Sequence, residues 1–320
     1  MDSALARVVR RLGRGGSTYA AGGGALRRMT ARPLLLVIAG TVCIAFSGIL
    51  VRLADVTPST AAFYRCAYAL PPLAALALWE RRRYGARGRR ARSLAWVAGV
   101  FFAADLVLWH HSIAAVGAGL ATVLGNVQVV LVPIAAWLIL RERPAARVVV
   151  AVPIVLAGVV LISGVVGADA YGDDPPLGVL FGLATAVAYA GFLLVLRAGS
   201  ADLRRSGGAL FHATLAAAIA TLPIGWALGE LELRPSWPEH GWLAVLALTS
   251  QVIGWLLIAA ALPRLTAALS SVALTLQPVM SVVLAMVLVD EAPSAWQLGG
   301  MAVVIVGIAV ATLARARRAV

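Results

Sequence analysis

Two stretches of this chain resemble each other and decide its fold. Residues 118–161 read AGLATVLGNVQVVLVPIAAWLILRERPAARVVVAVPIVLAGVVL, and residues 267–310 read AALSSVALTLQPVMSVVLAMVLVDEAPSAWQLGGMAVVIVGIAV. They align without a gap at an offset of 149 residues, with eleven identities in 44 positions. The identities of rarer type are Gln128 with Gln277, Glu142 with Glu291, Pro144 with Pro293 and Gly158 with Gly307. The pattern indicates an internal repeat of two halves.

The composition is that of a protein embedded in a lipid bilayer. Of its 320 residues, 61% are hydrophobic and only 13% are charged, whereas a water-facing surface needs roughly a quarter charged residues. A net charge of +13 could point to nucleic acid, but the arginines lie between apolar runs and not among aromatics on a folded domain. We therefore expect the lipid bilayer as the main partner and no binding of nucleic acid.

Apolar runs long enough to cross a bilayer recur along the chain, since a spanning helix needs about 20 mostly apolar residues. The predicted spans are 33–54, 58–79, 93–113, 116–139, 147–166, 177–197, 208–229, 241–262, 265–289 and 296–314. Only small residues around Gly117 separate the third run from the fourth, so nine spans are the alternative count.

Charge favours ten spans and sets their orientation, because arginine collects on the cytoplasmic side. With the N-terminus inside, the segments on that side hold 24 of the 27 arginines, and acids such as Asp173 and Asp174 collect opposite. An odd count would destroy this separation. We predict a multi-pass protein of the inner or plasma membrane, monomer or homodimer, with both termini cytoplasmic.

The predicted organisation is all-α, with ten transmembrane helices in two inverted five-helix repeats. Its parts are a basic disordered tail at 1–32, a first repeat at 33–166, an acidic external loop at 167–176, a second repeat at 177–314 and a basic tail at 315–320. Because five is odd, the second repeat enters the bilayer the other way up. Inverted repeats of this kind are typical of alternating-access carriers, whose site lies near the midplane.

Motif residues recur in both halves. They are Phe46, Ser47, Gly48, Phe63, Tyr64, Arg65, Ala67, Glu142, Pro144 and Gly158 in the first half, and Gln277, Pro278, Glu291, Pro293 and Gly307 in the second. This order resembles the EamA-type repeat of the drug/metabolite transporter superfamily, over about residues 33–314. The resemblance implies a ten-helix carrier, commonly an exporter of amino acids, metabolites or toxic compounds. It also implies a cavity formed by spans one to four and six to nine, with the fifth and tenth peripheral.

Two charged residues, Arg65 and Asp105, fall deep inside predicted spans, where an ionisable group needs a partner or a water-filled cavity. Arg65 lies about 10 Å and Asp105 about 12 Å from the outer ends of their spans, at 1.5 Å per residue. The matching depths predict that they approach each other as a partly hydrated pair, which either lines a substrate cavity or is only architectural. Asp105 is also the candidate for carrying a coupling proton.

Aromatic and histidine side chains give further candidates. Trp109 is four residues after Asp105 on the same helical face, and it either presents its ring to the substrate or anchors the span at the interface. His110 and His111 are expected at the outer interface. His212 is the repeat counterpart of Arg65 at an offset of 147, which predicts a gate near the cytoplasmic mouth or a helix-end histidine bonded to backbone.

Midspan amides and prolines complete the candidates. Gln128 and Gln277 are expected near the midplane, bonded either across a helix interface or to a substrate. Asn126 is about 200° from Gln128 around an ideal helix, which predicts that it faces away from the cavity. Pro133 and Pro278 remove helix hydrogen bonds and are hinge candidates, while Glu142 and Glu291 are expected to be structural.

The sequence predicts a secondary carrier, with a membrane-embedded enzyme or a passive channel as alternatives. An enzyme would need convergent catalytic groups and a channel a selectivity motif, and neither pattern is visible. No metal cluster and no phosphate-binding glycine loop is found, so no cofactor is expected. Transport would then draw on an ion gradient or a substrate gradient.

Overall fold

The computed structural model describes residues 25–140, 145–166, 169–199, 205–261, 265 and 267–312. Glu142 and Pro144, the predicted turn at Arg264 and both predicted basic tails, apart from residues 25–32, lie outside the described residues. The helices are α1 (Ala25–Ala45), α2 (Ser47–Ala54), α3 (Pro58–Tyr84), α4 (Arg89–Val116), α5 (Ala118–Gly125), α6 (Gln128–Leu140), α7 (Ala146–Ile162), α8 (Pro175–Gly199), α9 (Ser206–Leu228), α10 (Trp237–Leu246), α11 (Trp255–Ala261), α12 (Ala267–Leu288) and α13 (Ala295–Thr312). A π-helical segment, Ala247–Gly254, joins α10 to α11.

Within the described residues, seven helical segments are long and apolar enough to cross a membrane. They are Pro33–Ala54, Pro58–Tyr84, Arg89–Val116, Pro175–Leu196, Ser206–Leu228, Trp237–Ala261 and Ala295–Thr312. Three shorter apolar helices, Ala118–Ile134, Ala146–Ile162 and Ala273–Leu288, coincide with the remaining predicted spans. The chain is thus an all-helical, multi-pass membrane protein.

The outer surface of the bundle is apolar, as lipid contact requires. Trp226 and Trp237 are 80% and 79% exposed, which is typical of the aromatic residues that sit at a membrane interface. Helix α1 begins at Ala25, so the tail predicted to extend to residue 32 is helical over its last eight residues. Good helix formers such as Ala25 and Leu26 extend the apolar helix backwards into this segment.

Several predicted spans are not single regular helices. Gly117, with a φ of 90°, separates α4 from α5, in a left-handed region that favours glycine. Span one breaks at Phe46, and span four breaks at Asn126 and Val127, where Val127 donates to the carbonyl of Leu124 in a tight i to i−3 hydrogen bond. Breaks of this kind redirect the side chains that follow them.

Helix contacts repeat between the two halves. Helix α4 of the first half packs along α8 of the second, and the continuous unit of α10, the π segment and α11 packs in the same way along α1 and α2. Helix α7 packs along α13, and α9 along α3. The contact of the third span with the sixth therefore has a counterpart in that of the eighth span with the first, as expected for two related bundles.

Glutamates at helix ends join the two halves. The Glu80 carboxylate accepts hydrogen bonds from Gly207 N–H (2.9 Å) and Gly208 N–H (2.6 Å) at the start of α9. At the opposite end of this pair, the Ser59 hydroxyl near the start of α3 donates to Glu230, just after α9, at 2.7 Å. Helices α3 and α9 are therefore antiparallel.

Glu291, which follows α12, makes the same kind of contact with α5. Its carboxylate accepts the N–H groups of Ala118 (2.5 Å) and Gly119 (3.1 Å). An acid is favourable at a helix start, where unpaired N–H groups and the positive end of the helix dipole lie. The sequence-based expectation that Glu291 is structural agrees with this position.

Candidate functional site

A small polar cavity lies inside the bundle between the two halves. It has a volume of about 70 Å³. Its lining residues are Ile44, Ser47, Arg65, Phe102, Asp105, Leu106, Trp109, Thr122, Gly125, Asn126, Thr185, Tyr189, Trp255 and Gln277. Spans one to four, six, eight and nine supply them, whereas α7, α9 and α13 supply none. Small-molecule pockets usually enclose about 300–1,000 Å³, so a ligand can enter only if the surrounding helices move apart.

Arg65 lies in this cavity with its side chain held on two sides. The residue is 4% exposed, and its Nε donates to Oε1 of Gln251 at 3.2 Å. The amide nitrogen of Gln251 in turn donates to the hydroxyl of Thr214 at 3.2 Å. The Arg65 guanidinium also lies over the ring of Trp109, 5.5 Å from its centre, which is a favourable cation–π distance.

Asp105 lies in the same cavity without a bond to Arg65. It is 7% exposed, and among the described residues its carboxylate forms no hydrogen bond and no ion pair within 4.0 Å. Both residues line one cavity, as their matching depths predict, but they make no direct contact within 4.0 Å. The guanidinium is bonded to Gln251 and lies over Trp109 instead.

Trp109 is a cavity residue and not an interfacial anchor. It is 8% exposed and packs in the core, with its ring beneath Arg65. The interfacial alternative is wrong because the face that α4 shares with Asp105 points into the bundle. Tyr189 and Trp255 add further rings to the lining, and they stand 6.3 Å apart in an edge-to-face arrangement.

The two repeat-related glutamines do not have equivalent places. Gln277 lines the cavity, whereas Gln128 is half-buried and is not part of the lining. Asn126 lines it instead, and its Nδ2 donates to the carbonyl of Thr122 at 2.8 Å. The prediction that Asn126 faces away is wrong, because it assumed that Gln128 faces the cavity. Only one of the two lines the cavity, as their angular separation requires, and that residue is Asn126.

Two histidines, His110 and His111, lie near the start of α3. The buried ring of His110 bonds to the carbonyl of Pro58 at 3.0 Å. His111 contacts the Glu230 carboxylate (2.8 Å) with Nε2 and the carbonyl of Val107 (2.8 Å) with Nδ1. Both ring nitrogens of His111 thus face oxygen atoms. The expected plain interfacial role is wrong for His110, which is 1% exposed.

His212 lies away from the central cavity. It lines a second pocket between the end of α3 and the start of α9, together with Arg81, Arg87, Arg92 and Arg205. The hinge candidates Pro133 and Pro278 lie inside α6 and α12, and both helices continue through them. The described residues contain no group of three or more His, Cys, Asp and Glu side chains that could hold a metal ion.

Sequence reasoning missed Gln251, which positions Arg65. A buried amide in the middle of span eight was a usable signal, since such a group must find partners. Its π-helical setting could not be inferred from the sequence. Tyr189 and Trp255 were also missed, because an aromatic ring in an apolar span gives no sign of which way it faces.

The fold and the cavity define a class: a multi-pass helical membrane protein with two related bundles around a polar interior. The sequence profile described as the EamA-like transporter family matches residues 31–164 and 176–313. The chain belongs to the EamA-like transporter family, which confirms the predicted resemblance to the drug/metabolite transporter superfamily.

Structure comparison agrees at the level of the fold. One solved structure, described only as the crystal structure of a protein, has a TM-score of 0.58 at 18% sequence identity. The match covers 88% of this chain and 98% of that one. No curated protein matches the chain.

Proposed function

We propose that this protein is a secondary transporter that exports a small metabolite, an amino acid or a drug-like compound. It works by alternating access through the central cavity, with ten spans in two inverted five-helix repeats. The antiparallel contacts of α3 with α9 and of α5 with α12 support this topology. The arginine distribution supports cytoplasmic termini in the inner or plasma membrane.

One observation carries the proposal: Arg65 and Asp105 line one buried cavity without bonding to each other. Leaving two buried charges apart is costly unless each meets a partner. A zwitterion such as an amino acid offers a carboxylate to Arg65 and an ammonium group to Asp105. Trp109 and Gln277 would complete the contacts with the apolar and polar parts of such a substrate.

Transport requires the cavity to open, since about 70 Å³ is too small for a metabolite. Pro133 and Pro278 are the proposed hinges, because a proline removes one hydrogen bond of the helix and lets it bend. His212 and Gln128 lie outside the lining and are proposed gating residues. His212 lies at the arginine-rich pocket, and Gln128 lies beside the break in span four. Both positions suit control of access to the central cavity.

Asp105 is the proposed carrier of a coupling proton. It is the only carboxylate that lines the cavity among the described residues. A proton and a cationic group of the substrate would then compete for one carboxylate, which couples export to proton entry. The transporter is proposed to act as a monomer or a homodimer.

The test is flux in proteoliposomes. Thermal stabilisation of the purified protein by a panel of zwitterions, simple amines and simple carboxylates selects the compound, and radiolabelled counterflow then measures its transport. We expect zwitterions to stabilise the wild type, and D105N and R65Q to abolish counterflow. D173N changes an exposed loop acid by the same charge and is the matched control.

The result also separates the alternatives. A passive channel would pass the compound without saturation or counterflow, and a membrane-embedded enzyme would alter it chemically. Counterflow that is unchanged in a correctly inserted D105N protein would remove Asp105 from the mechanism. Stabilisation by amines alone or carboxylates alone would overturn the zwitterion proposal.

A further inference from the structure

A second pocket lies at the arginine-rich end of the bundle, between α3, α9 and the turn that joins α3 to α4. Its volume is about 480 Å³. Four arginines line it: Arg81, Arg87, Arg92 and Arg205. It shares no lining residue with the central cavity. It is therefore a separate site, large enough for a ligand without movement of the helices.

Hydrogen bonds to the backbone build part of the basic wall of this pocket. Arg87 donates to the carbonyls of Arg205 (2.6 Å) and Gly199 (2.7 Å). Arg205 donates in return to the carbonyl of Ala86 at 3.1 Å. These bonds satisfy donors of both side chains and clamp the α3–α4 turn against the start of α9, so the positive charge stays in place.

The one acid of the lining, Glu80, is engaged elsewhere. Its two carboxylate oxygens accept from the N–H groups of Gly207 and Gly208. Neither Arg81 nor Arg92 makes an ion pair with a described carboxylate. The pocket thus has an excess of positive charge that an anion would balance.

The pocket also has an apolar floor and lies at the level of the membrane interface. Ala74, Ala77 and Phe211 line it beside the arginines. Trp79 and Trp96, 56% and 40% exposed, lie near the same ends of α3 and α4. Exposed tryptophans mark the headgroup level of a bilayer, and a basic wall above an apolar floor matches a headgroup phosphate with its acyl chains.

We propose that this pocket binds the headgroup phosphate of an anionic phospholipid. The lipid neutralises Arg81 and Arg92 and sits across the contact between α3 and α9. A bound lipid would stabilise the contact of the two halves at this end. The site is independent of the substrate cavity, so the proposal does not rest on the proposed function.

The test uses the full-length protein in detergent, titrated with dioleoylphosphatidylglycerol or dioleoylphosphatidylcholine. Thermal unfolding reports stabilisation, and native mass spectrometry counts bound lipid. R81Q/R92Q removes two pocket charges. R83Q/R90Q removes two charges from the same helix ends outside the pocket and is the matched control. R92Q alone serves if the double variant is not monodisperse.

We expect phosphatidylglycerol to stabilise the wild type and the control, and phosphatidylcholine to have little effect. R81Q/R92Q should need at least about tenfold more phosphatidylglycerol for the same rise in unfolding temperature, since each surface arginine contributes appreciably to anionic lipid binding. Equal responses of the two double variants would overturn the site. If glycerol 3-phosphate matched the lipid at equal concentration, the ligand would be a soluble phosphate and the lipid proposal would be wrong.

Discussion

Arg65 owes its position to Gln251, and this contact shows how a charge is kept buried in a span. The guanidinium receives an acceptor from Gln251 and a ring face from Trp109, so it needs no acid partner. Gln251 is itself held by Thr214. The chain Thr214–Gln251–Arg65 therefore presents the remaining donors of the guanidinium to the cavity.

Replacing Gln251 by leucine should disturb this order. Q251L leaves Arg65 without its acceptor, and losing the partner of a buried polar group costs about 1–3 kcal/mol. We expect a lower unfolding temperature and weaker stabilisation by the substrate that the wild type binds. Q128L is the matched control, because Gln128 is a half-buried amide outside the cavity. Equal shifts in the two variants would show that Gln251 has no special role.

Glu291 predicts a dependence of stability on pH. Burial raises its pKa above the ordinary value of 4.5, while the N–H groups of Ala118 and Gly119 and the charge of Arg52 act in the opposite direction. The folded state therefore binds a proton more readily than the unfolded state. The cost of ionising the buried carboxyl is fully present above the folded pKa and is lost as the pH falls towards 4.5.

The measurement compares the wild type with E291Q, which cannot ionise. As the pH is lowered from neutral to about 4.5, the unfolding temperature of the wild type should rise relative to that of E291Q. Glu80 caps a helix start in the same way as Glu291, so E80Q shows whether the pH dependence is particular to residue 291. A difference between wild type and E291Q that stays constant with pH would contradict the expected linkage.

Reasoning from sequence at this scale placed the buried charged residues at one level but misassigned which residue of span four faces the cavity. Depth along the spans placed Arg65 and Asp105 at one level, and both line the cavity. Helical angle correctly separated Asn126 from Gln128, but it could not show that Asn126 is the one that lines the cavity. The hydrogen bond from Arg65 to Gln251 joins residues 186 positions apart and could not be assigned by local reasoning.

At the scale of helices, the predicted apolar runs match the described helices closely. The run at 208–229 corresponds to α9 (Ser206–Leu228), and that at 147–166 to α7 (Ala146–Ile162). Hydropathy succeeds because lipid requires every spanning backbone group to be bonded within a helix. The break at Phe46 and the π segment were not predictable, because they depend on packing between spans and not on composition.

Helices α7 and α13 meet through glycines, two of which the repeat predicted as equivalent. A Cβ on Gly158 would lie 2.7 Å from the carbonyl oxygen of Gly300, and one on Gly300 would lie 2.7 Å from that of Gly158. Gly307 has the same kind of contact with Val155 at 2.6 Å. Small residues at such crossings let two backbones approach closely.

Adding one methyl group at this contact should separate the two helices. G300A forces a backbone shift and should destabilise the protein by about 1–3 kcal/mol. G299A is the control on the neighbouring residue, where a Cβ meets nothing within 4 Å. Both changes add the same helix propensity, so the difference in unfolding temperature isolates packing. An equal effect of the two substitutions would mean that the α7–α13 contact tolerates expansion.

At the scale of the whole molecule, the repeat could be recognised from the sequence, and its contacts could not. The offset of 149 residues located the two halves, and the profile match to residues 31–164 and 176–313 agrees with it. The contacts between spans of the two halves depend on three-dimensional packing, which the sequence does not reveal. The pairing of α3 with α9 through Glu80 and Glu230 joins residues about 120 to 170 positions apart.

Reporter fusions test the proposed orientation. Green fluorescent protein fused after residue 320 should fluoresce and alkaline phosphatase there should be inactive, because the C-terminus is expected in the cytoplasm. Alkaline phosphatase inserted after residue 172, in the acidic loop, should be active. An active phosphatase at the C-terminus together with a fluorescent N-terminal fusion would place the ends on opposite faces and contradict the even number of spans and with it the inverted halves.

The glutamate contacts at the helix ends have a consequence for the origin of such a chain. Glu80 and Glu230 each secure the beginning of a helix that belongs to the other half. A single half, made alone, could satisfy the same bonds only by meeting a copy inserted upside down in the same bilayer. Gene duplication followed by fusion would convert that chance encounter between two opposed polypeptides into a permanent, intramolecular one.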